Sequence, residues 1–385
     1  MNFNLLSSVY LADTFEPVAK WLTIGFICAL AITWIITFFV KKEISGKVAK
    51  CQLIALVFYA LALGIFLLSI EIAKKYDTAY LDEKWVSRDI TTYVFLPLLV
   101  TLILALLGAV AIFIVTKKAP NLTKIVSLVT ACAVFVGVVV SLILIYIYYS
   151  NNIVGDGYYT DENYGNLNSI ALWVGSILMI VGTVLVGLLL DKKENKGFDT
   201  KCLSVAGVCV ALSFALSYIK LFEMPQGGAV TLASMMPVML FGYIYGTKKG
   251  LLVGFVYGML QAIQDPYIIH PAQFLLDYPV AFAMVGFAGA LTNLKWLDNL
   301  PQVKFALSAC IAGTMRFVCH LIAGVFAFGA WALDAGAENI FLYSLVYNSY
   351  VFVDIVLVVI AGAILLSSKA FRQEVKKLNP KEYLK

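Results

Sequence analysis

Apolar runs near residues 18–40, 51–73, 92–116, 124–149, 168–190, 202–222, 229–245, 249–265, 272–293, 304–328 and 340–367 follow one another with polar gaps between them. Most approach the roughly 20 residues a helix needs to cross hydrocarbon, although 229–245 and 249–265 are short. None alternates with period two, as the strands of a membrane barrel must, so the runs are read as helices. Over 385 residues, 62% hydrophobic and 13% charged with a mean hydropathy of +0.90, this apolar surface cannot be hidden in one water-soluble core. The expected fold class is therefore all-α, a polytopic membrane protein of about eleven transmembrane helices.

The basic residues orient it. With the C-terminus cytoplasmic and the N-terminus outside, all but seven of the 28 Lys and Arg fall on the inner side. The exceptions are the outer Lys20, Lys74, Lys75, Lys84, Arg88 and Lys220, and the embedded Arg316. That is the positive-inside bias expected of a bacterial cell membrane protein. The net charge of +5 is then a topology signal that favours anionic lipid headgroups, not nucleic acid, as the partner of the basic tail. Residues 1–17 lack the basic cluster and apolar core of a cleavable signal, so the first span is expected to stay in the membrane. The seven cysteines show no CxxC spacing, which argues against a zinc site or a disulfide framework.

The charged stretch Asp191 to Lys201 divides the chain into a five-span unit, 1–195, and a six-span unit, 200–385. All the embedded charge lies in the second: Asp277, Arg316, His320 and Asp354, with His270 just outside a span. At roughly 3 kcal/mol per group on insertion scales, such residues mark a ligand or ion site. Arg316, His320 and Gly324 recur every four residues, within about 40° of one helix face per step, and Gly324 is expected to open space there. Tyr343, Tyr347, Tyr350 and Asp354 share a face of the last span. Arg316 and Asp354 lie about 18 and 21 Å from the outer ends of their helices, deep enough to pair. Pro237 at mid-span is expected to bend or break the 229–245 helix, and Glu223 to Ala229 has the glycines and proline of a lid or of an ordinary turn.

Two acids against one arginine leave a site that welcomes a monocation. Tyr278, Phe328, Trp331, Tyr343 and Tyr347 offer cation–π faces worth about 0.5–2 kcal/mol each when desolvated, and Gln273 and Asn348 both donate and accept. A flat heteroaromatic cation fits this inventory better than a sugar or an anion. Catalysis has little support: there is no GxxxxGK[ST], GxSxG or HExxH, and His320 with Asp277 forms an acid and base without an evident nucleophile.

Residues 200–385 resemble the thiamine-specific substrate-binding (S) component of energy-coupling-factor vitamin transporters. The motifs are Gly227-Gly-Ala-Val-Thr-Leu-Ala-Ser-Met-Met-Pro237, Gly246-Thr-Lys-Lys-Gly-Leu-Leu-Val-Gly254, His270-Pro-Ala-Gln-Phe-Leu-Leu-Asp-Tyr-Pro279, Arg316-Phe-Val-Cys-His-Leu-Ile-Ala-Gly324 and Tyr343-Ser-Leu-Val-Tyr-Asn348. The resemblance implies a six-helix bundle that captures thiamine from outside, with no cofactor of its own. It puts Asp277 and Asn348 at the aminopyrimidine, Tyr278 beside them, Tyr343 in stacking contact and Phe328 over the thiazolium ring. Arg316 and His320 match a basic residue and a histidine of the fifth helix. Gly228 and Leu232 stand where some members have tryptophan and glutamate, so that wall must be built differently. Tyr343 and Asn348, about 140° apart on an ideal helix, meet one ligand only if the helix unwinds or the ligand sits between faces, whereas the stripe itself favours Tyr347 and Asp354.

The resemblance also implies partners in trans: a transmembrane coupling subunit docking on the small-residue row Gly207, Ala211 and Ala215, and ATP-binding subunits supplying the work. The resemblance does not extend to residues 1–195 and implies no role for them. Three alternatives stay open: an S component for another vitamin or a thiamine precursor, an intramembrane enzyme using His320 and Asp277, and an autonomous carrier completed by the N-terminal unit.

Overall fold

Hydrocarbon offers a backbone amide no partner, so a run that crosses it satisfies its N–H and C=O groups internally by coiling. The computed structural model describes residues 8–40, 89–152, 162–190, 198–225, 227–292 and 299–378, with residue 297 and scattered positions between 48 and 66. Most of the expected span 51–73, the middle of the loop 150–167 and the charged stretch up to Gly197 lie outside the described residues.

Among the described residues, four long helices come first: α1 (Ser8–Val40), α2 (Leu96–Lys118, entered through a π turn at Thr91–Phe95), α3 (Thr123–Asn152) and α4 (Glu162–Leu190). Helices α2 and α3 pack side by side, with Thr101 Oγ1 and Ser141 Oγ 3.3 Å apart between them. Leu107, Leu128 and Leu178 point outward and are each more than 60% exposed. Outward leucines on long apolar helices suit a lipid solvent. Among the described residues, six helical segments from Thr91–Ile112 to Ile340–Ser367 are long and apolar enough to cross a bilayer. The chain is a helical membrane protein.

The second half opens with α5 (Thr200–Ser217), whose N-cap Asp199 accepts from the Cys202 amide at 2.7 Å. Where an apolar helix was expected to run on to residue 222, the chain instead forms an antiparallel hairpin, β1 (Lys220–Glu223) and β2 (Ala229–Thr231). Gly227 and Gly228 make its turn possible, at φ +82° and +86°, in the region that disfavours side chains. Helix α6 (Met236–Tyr245) follows, and it corrects a second expectation. Pro237 sits in its first turn, where a missing N–H costs nothing, so it starts the helix rather than kinking its middle.

Helix α7 (Thr247–Gln264) packs its glycines against the next segment so closely that a methyl at Gly254 would collide with the Phe282 carbonyl. That segment is irregular: α8 (Pro271–Leu275), a π turn (Leu276–Val280), α9 (Ala281–Met284) and a 3-10 turn (Val285–Gly289). Pro279 has no amide to bond the preceding turn, and the helix widens there by one residue. Helix α10 (Pro301–Phe326) pairs with α13 (Tyr350–Ser367), reached through the short α11 (Gly329–Asp334) and α12 (Ile340–Tyr347). The expected last span is thus two helices broken at Asn348 and Ser349. Finally α14 (Lys369–Leu378) turns back, and Arg372 Nη1 donates to the Ser367 carbonyl at 3.2 Å, satisfying an end of α13.

His270 caps α8: its Nδ1 accepts from the Ala272 amide at 3.1 Å, which leaves the ring proton on Nε2, 2.9 Å from Ser169 Oγ on α4. Burial holds this imidazole down at about 4, against an ordinary 6.5, so the folded protein keeps it neutral. The unfolded chain protonates first as pH falls. Stability from this group is therefore complete above 6.5 and is lost as pH drops towards about 4. His270→Asn keeps an acceptor for the cap and removes the titration. Its melting temperature is expected to fall less than the parent's between about pH 7 and about pH 4, measured by thermal scans of purified protein.

Candidate functional site

Helix α10 carries the chemistry. Arg316 and His320, one turn apart, point to the same side, and each meets a carboxylate from a different element. Arg316 Nη1 donates to Asp354 Oδ2 at 3.3 Å and to the Met235 sulfur at 3.0 Å, with the guanidinium 4.7 Å from the centre of the Phe282 ring. Both charged side chains are buried, 7% and 3% exposed. The second oxygen of Asp354 accepts the Thr231 amide at 3.0 Å, so the carboxylate ties the end of β2 to α13 and α10.

The other carboxylate comes from the π turn. Its extra residue puts Asp277 where Oδ1 accepts from His320 Nδ1 at 2.8 Å and Oδ2 accepts from Gln273 Nε2 at 2.6 Å. Since an ionised carboxylate can only accept, the proton of this pair sits on Nδ1. The far nitrogen, His320 Nε2, is buried and without a hydrogen-bond partner among the described residues. Gln273 also donates to the Tyr267 carbonyl and accepts from the Ile269 amide, which binds the loop before α8 to the same carboxylate.

A cavity of about 190 Å³ lies over these pairs. Asp277, Tyr278, Arg316, His320, Phe328, Tyr343, Tyr347 and Asn348 all line it, so the geometry gathers every candidate binding residue around one space. Aromatic rings form its upper wall: Tyr267, Phe328 and Trp331 stand 5.2–5.9 Å apart, and Tyr343 stacks on Tyr347 at 6.3 Å. The hairpin closes one side, where Tyr347 OH donates to the Gly227 carbonyl at 2.9 Å. A Cβ at Gly228 would lie 2.7 Å from the Tyr350 hydroxyl, so only glycine lets the turn rest on that ring.

Three details differ from expectation. Gly324 lines the cavity, but the room its missing Cβ leaves is taken by Ser344 and Asn348, which pack against it. Asn348 sits at the break after α12, which removes the facing problem with Tyr343, but its Nδ2 is engaged by the Ser344 carbonyl at 2.9 Å. Tyr278 OH accepts the Tyr267 amide at 2.7 Å and donates to the Asp265 carbonyl at 2.9 Å, so its hydroxyl braces a loop. The row Gly207, Ala211 and Ala215 is away from the cavity; Gly207 faces open space, whereas Ala215 is buried in the bundle.

Other cavity residues were not picked out by sequence pattern. Gln261 Nε2 and Ser217 Oγ both donate to Gln264 Oε1, a polar shelf whose i, i+3 glutamines were a readable signal. Tyr267 and Met235 carried none, since loop and neighbour contacts bring them in. Four carboxylates line the cavity, Glu223, Asp265, Asp277 and Asp354, against Lys220 and Arg316. Lys220 pairs with Asp265 at 3.1 Å. The lining is acidic on balance.

Removing one member of a buried pair strands the other. Asp354→Ala is expected to cost about 3–5 kcal/mol in unfolding free energy, because it leaves Arg316 charged and the Thr231 amide without its acceptor. The double variant Arg316→Met/Asp354→Leu should recover most of that loss, read by denaturant unfolding in detergent.

Known proteins share sequence with the second half of this chain. The family model described as thiamine transporter protein matches residues 203–373. Thiamine transporter ThiT of Bacillus subtilis is 36% identical over 134 residues, covering 33% of this chain and 68% of that protein. Thiamine transporter ThiT of Lacticaseibacillus paracasei is 28% identical over 174 residues, 41% of this chain and 83% of that protein. A solved structure of ThiT from Listeria monocytogenes, 23% identical, covers 48% of this chain and 97% of its own, with a TM-score of 0.37. By its match to the Bacillus subtilis relative across two thirds of that protein's length, this chain belongs to the thiamine transporter protein family.

Proposed function

We propose that this chain is the thiamine-binding membrane subunit of an uptake transporter, and that thiamine occupies the cavity over the two buried ion pairs. The observation that carries the reading is the Asp277–His320 pair, 2.8 Å apart, set into an acidic space walled by Tyr267, Phe328, Trp331, Tyr343 and Tyr347. Thiamine joins a quaternary thiazolium to an aminopyrimidine. A fixed positive charge on a flat ring is attracted by carboxylates and by aromatic faces, while an aminopyrimidine presents hydrogen-bond donors and acceptors along one edge. In this reading Asp277 and the oxygen of Asn348 accept from the pyrimidine, and the partnerless His320 Nε2 faces the ligand. Phe328, Trp331, Tyr343 and Tyr347 enclose the rings, and Tyr278 holds the Asp277 turn in place. Arg316 acts through Asp354, keeping the hairpin seated over the site.

Residues 200–385 are the binding bundle and 1–195 a companion unit in the same membrane. The N-terminus lies outside and the C-terminus in the cytoplasm, so the aromatic mouth opens outward. Transport then needs a coupling subunit and ATP-binding subunits in trans. A phosphate loop is absent from this sequence, which supports hydrolysis by other chains. Of the partner row, the Gly207 end of α5 is the part with room for another helix.

Titrating purified protein with thiamine should quench tryptophan fluorescence, since Trp331 lines the cavity. Trp331→Phe should lose most of that signal yet still bind by calorimetry. Asp277→Asn should weaken affinity by about 10- to 100-fold, as a hydrogen bond to a charged group contributes about 1.5–3 kcal/mol. Unchanged affinity in Asp277→Asn would remove the carboxylate from the site. Competition with hydroxymethylpyrimidine separates thiamine from a precursor as the natural ligand.

A further inference from the structure

Helix α4 is outside the family match, which covers residues 203–373, yet it lies against the helices that carry the site. From Ser169 to Leu190 its only hydroxyl-bearing residues are Ser169, Ser176 and Thr183, spaced every seven residues and so along nearly one face. All three reach the irregular segment. Ser169 Oγ accepts from His270 Nε2 at 2.9 Å, Ser176 Oγ donates to the Ala272 carbonyl at 3.0 Å, and Thr183 Oγ1 contacts the Met284 sulfur at 3.5 Å. Trp173 adds an edge contact to the His270 ring at 5.9 Å. The same helix touches α10 two residues past His320, where a Cβ at Gly175 would lie 2.9 Å from Ile322.

These contacts bracket the π turn. His270 and Ala272 precede it, Met284 follows it, and Asp277 lies within it. A π turn in mid-helix is a strained, rarely populated state that persists when its surroundings over-determine it. The Ala272 carbonyl, which also accepts the Leu276 amide at the start of the turn, is held by Ser176 in the buried interior. We propose that α4 is a positioning helix for the ligand site: by fastening both ends of residues 270–284 it holds the turn that aims Asp277 at His320. The N-terminal unit thereby sets ligand affinity from outside the binding bundle. This rests on the thiamine reading of the cavity, and the test separates the two.

Thiamine affinity is measured calorimetrically on the full chain for the parent, Ser176→Ala, Ser169→Ala/Ser176→Ala, Ser176→Thr and Asp277→Asn, with melting temperatures in parallel. Ser141→Ala, between α2 and α3, is the control for loss of a buried hydroxyl elsewhere. The double variant should raise Kd by about tenfold, and Ser176→Thr, which keeps a hydroxyl, should stay within about twofold of the parent. In the Asp277→Asn background the Ser176→Ala effect should vanish, because α4 acts through that carboxylate; an additive loss would overturn the proposal. If the double variant does not fold, the single Ser176→Ala variant decides. Parent-like Kd in the α4 variants together with a weakened Asp277→Asn overturns the positioning role and leaves the site intact. A parent that does not bind thiamine, or an Asp277→Asn variant that binds it equally well, defeats the site assignment and this inference with it.

Discussion

Two carboxylates, a guanidinium and an imidazole share the interior of this bundle, and at that depth an isolated charge costs several kcal/mol. They are tolerated because each has a partner, and both pairs depend on α10: Arg316 to Asp354 on α13, His320 to Asp277 on the π turn. The rest of the site follows from holding these two bonds. Asp354 gives its other oxygen to the Thr231 amide, so the hairpin is seated by the same charge that fixes α10 against α13. Asp277 gives its other oxygen to Gln273, so the loop bearing Tyr267 is set by the carboxylate at the floor of the cavity.

The pairs differ in exposure. All four side chains line the cavity, but Arg316 and Asp354 are nearly sealed, whereas the Asp277 side chain is 16% exposed. Aromatic rings line the same cavity, and Lys220 at its edge is paired with Asp265. The contacts from α4 extend the same logic outward: a strained turn is cheap to keep only where neighbouring elements hold it on more than one side.

How much was legible depended on range. Apolar run length located most helices among the described residues, because it depends on local composition. Spacing of four put Arg316 and His320 on one face, since a helix is a ruler; the depth count that brought Asp354 level with Arg316 assumed an unbroken last span, and the pair forms although that span breaks at Asn348. Short-range rules failed where backbone conformation departs from the regular helix. The hairpin at Lys220 to Thr231 has the composition of helix ends, and its turn is made by two positive-φ glycines that hydropathy does not see. Pro237 has the same effect on composition at a helix start as in its middle, and only the neighbouring strand decided which.

By itself the sequence determined that this is a helical membrane protein whose embedded charge is confined to its second half, because the cost of burying charge in hydrocarbon leaves few other readings of so apolar a chain. The motifs around Asp277 and Arg316 also carried the family. Tertiary structure decided the rest: the widening at Pro279 that turns Asp277 towards His320, the break at Asn348, the packing of Ser344 against Gly324, and the seven-residue ladder of α4 against residues 270–284. The last two are contacts between separate segments, where distance and direction depend on how neighbouring helices pack, and the first two are departures from the regular helix that apolar periodicity does not encode.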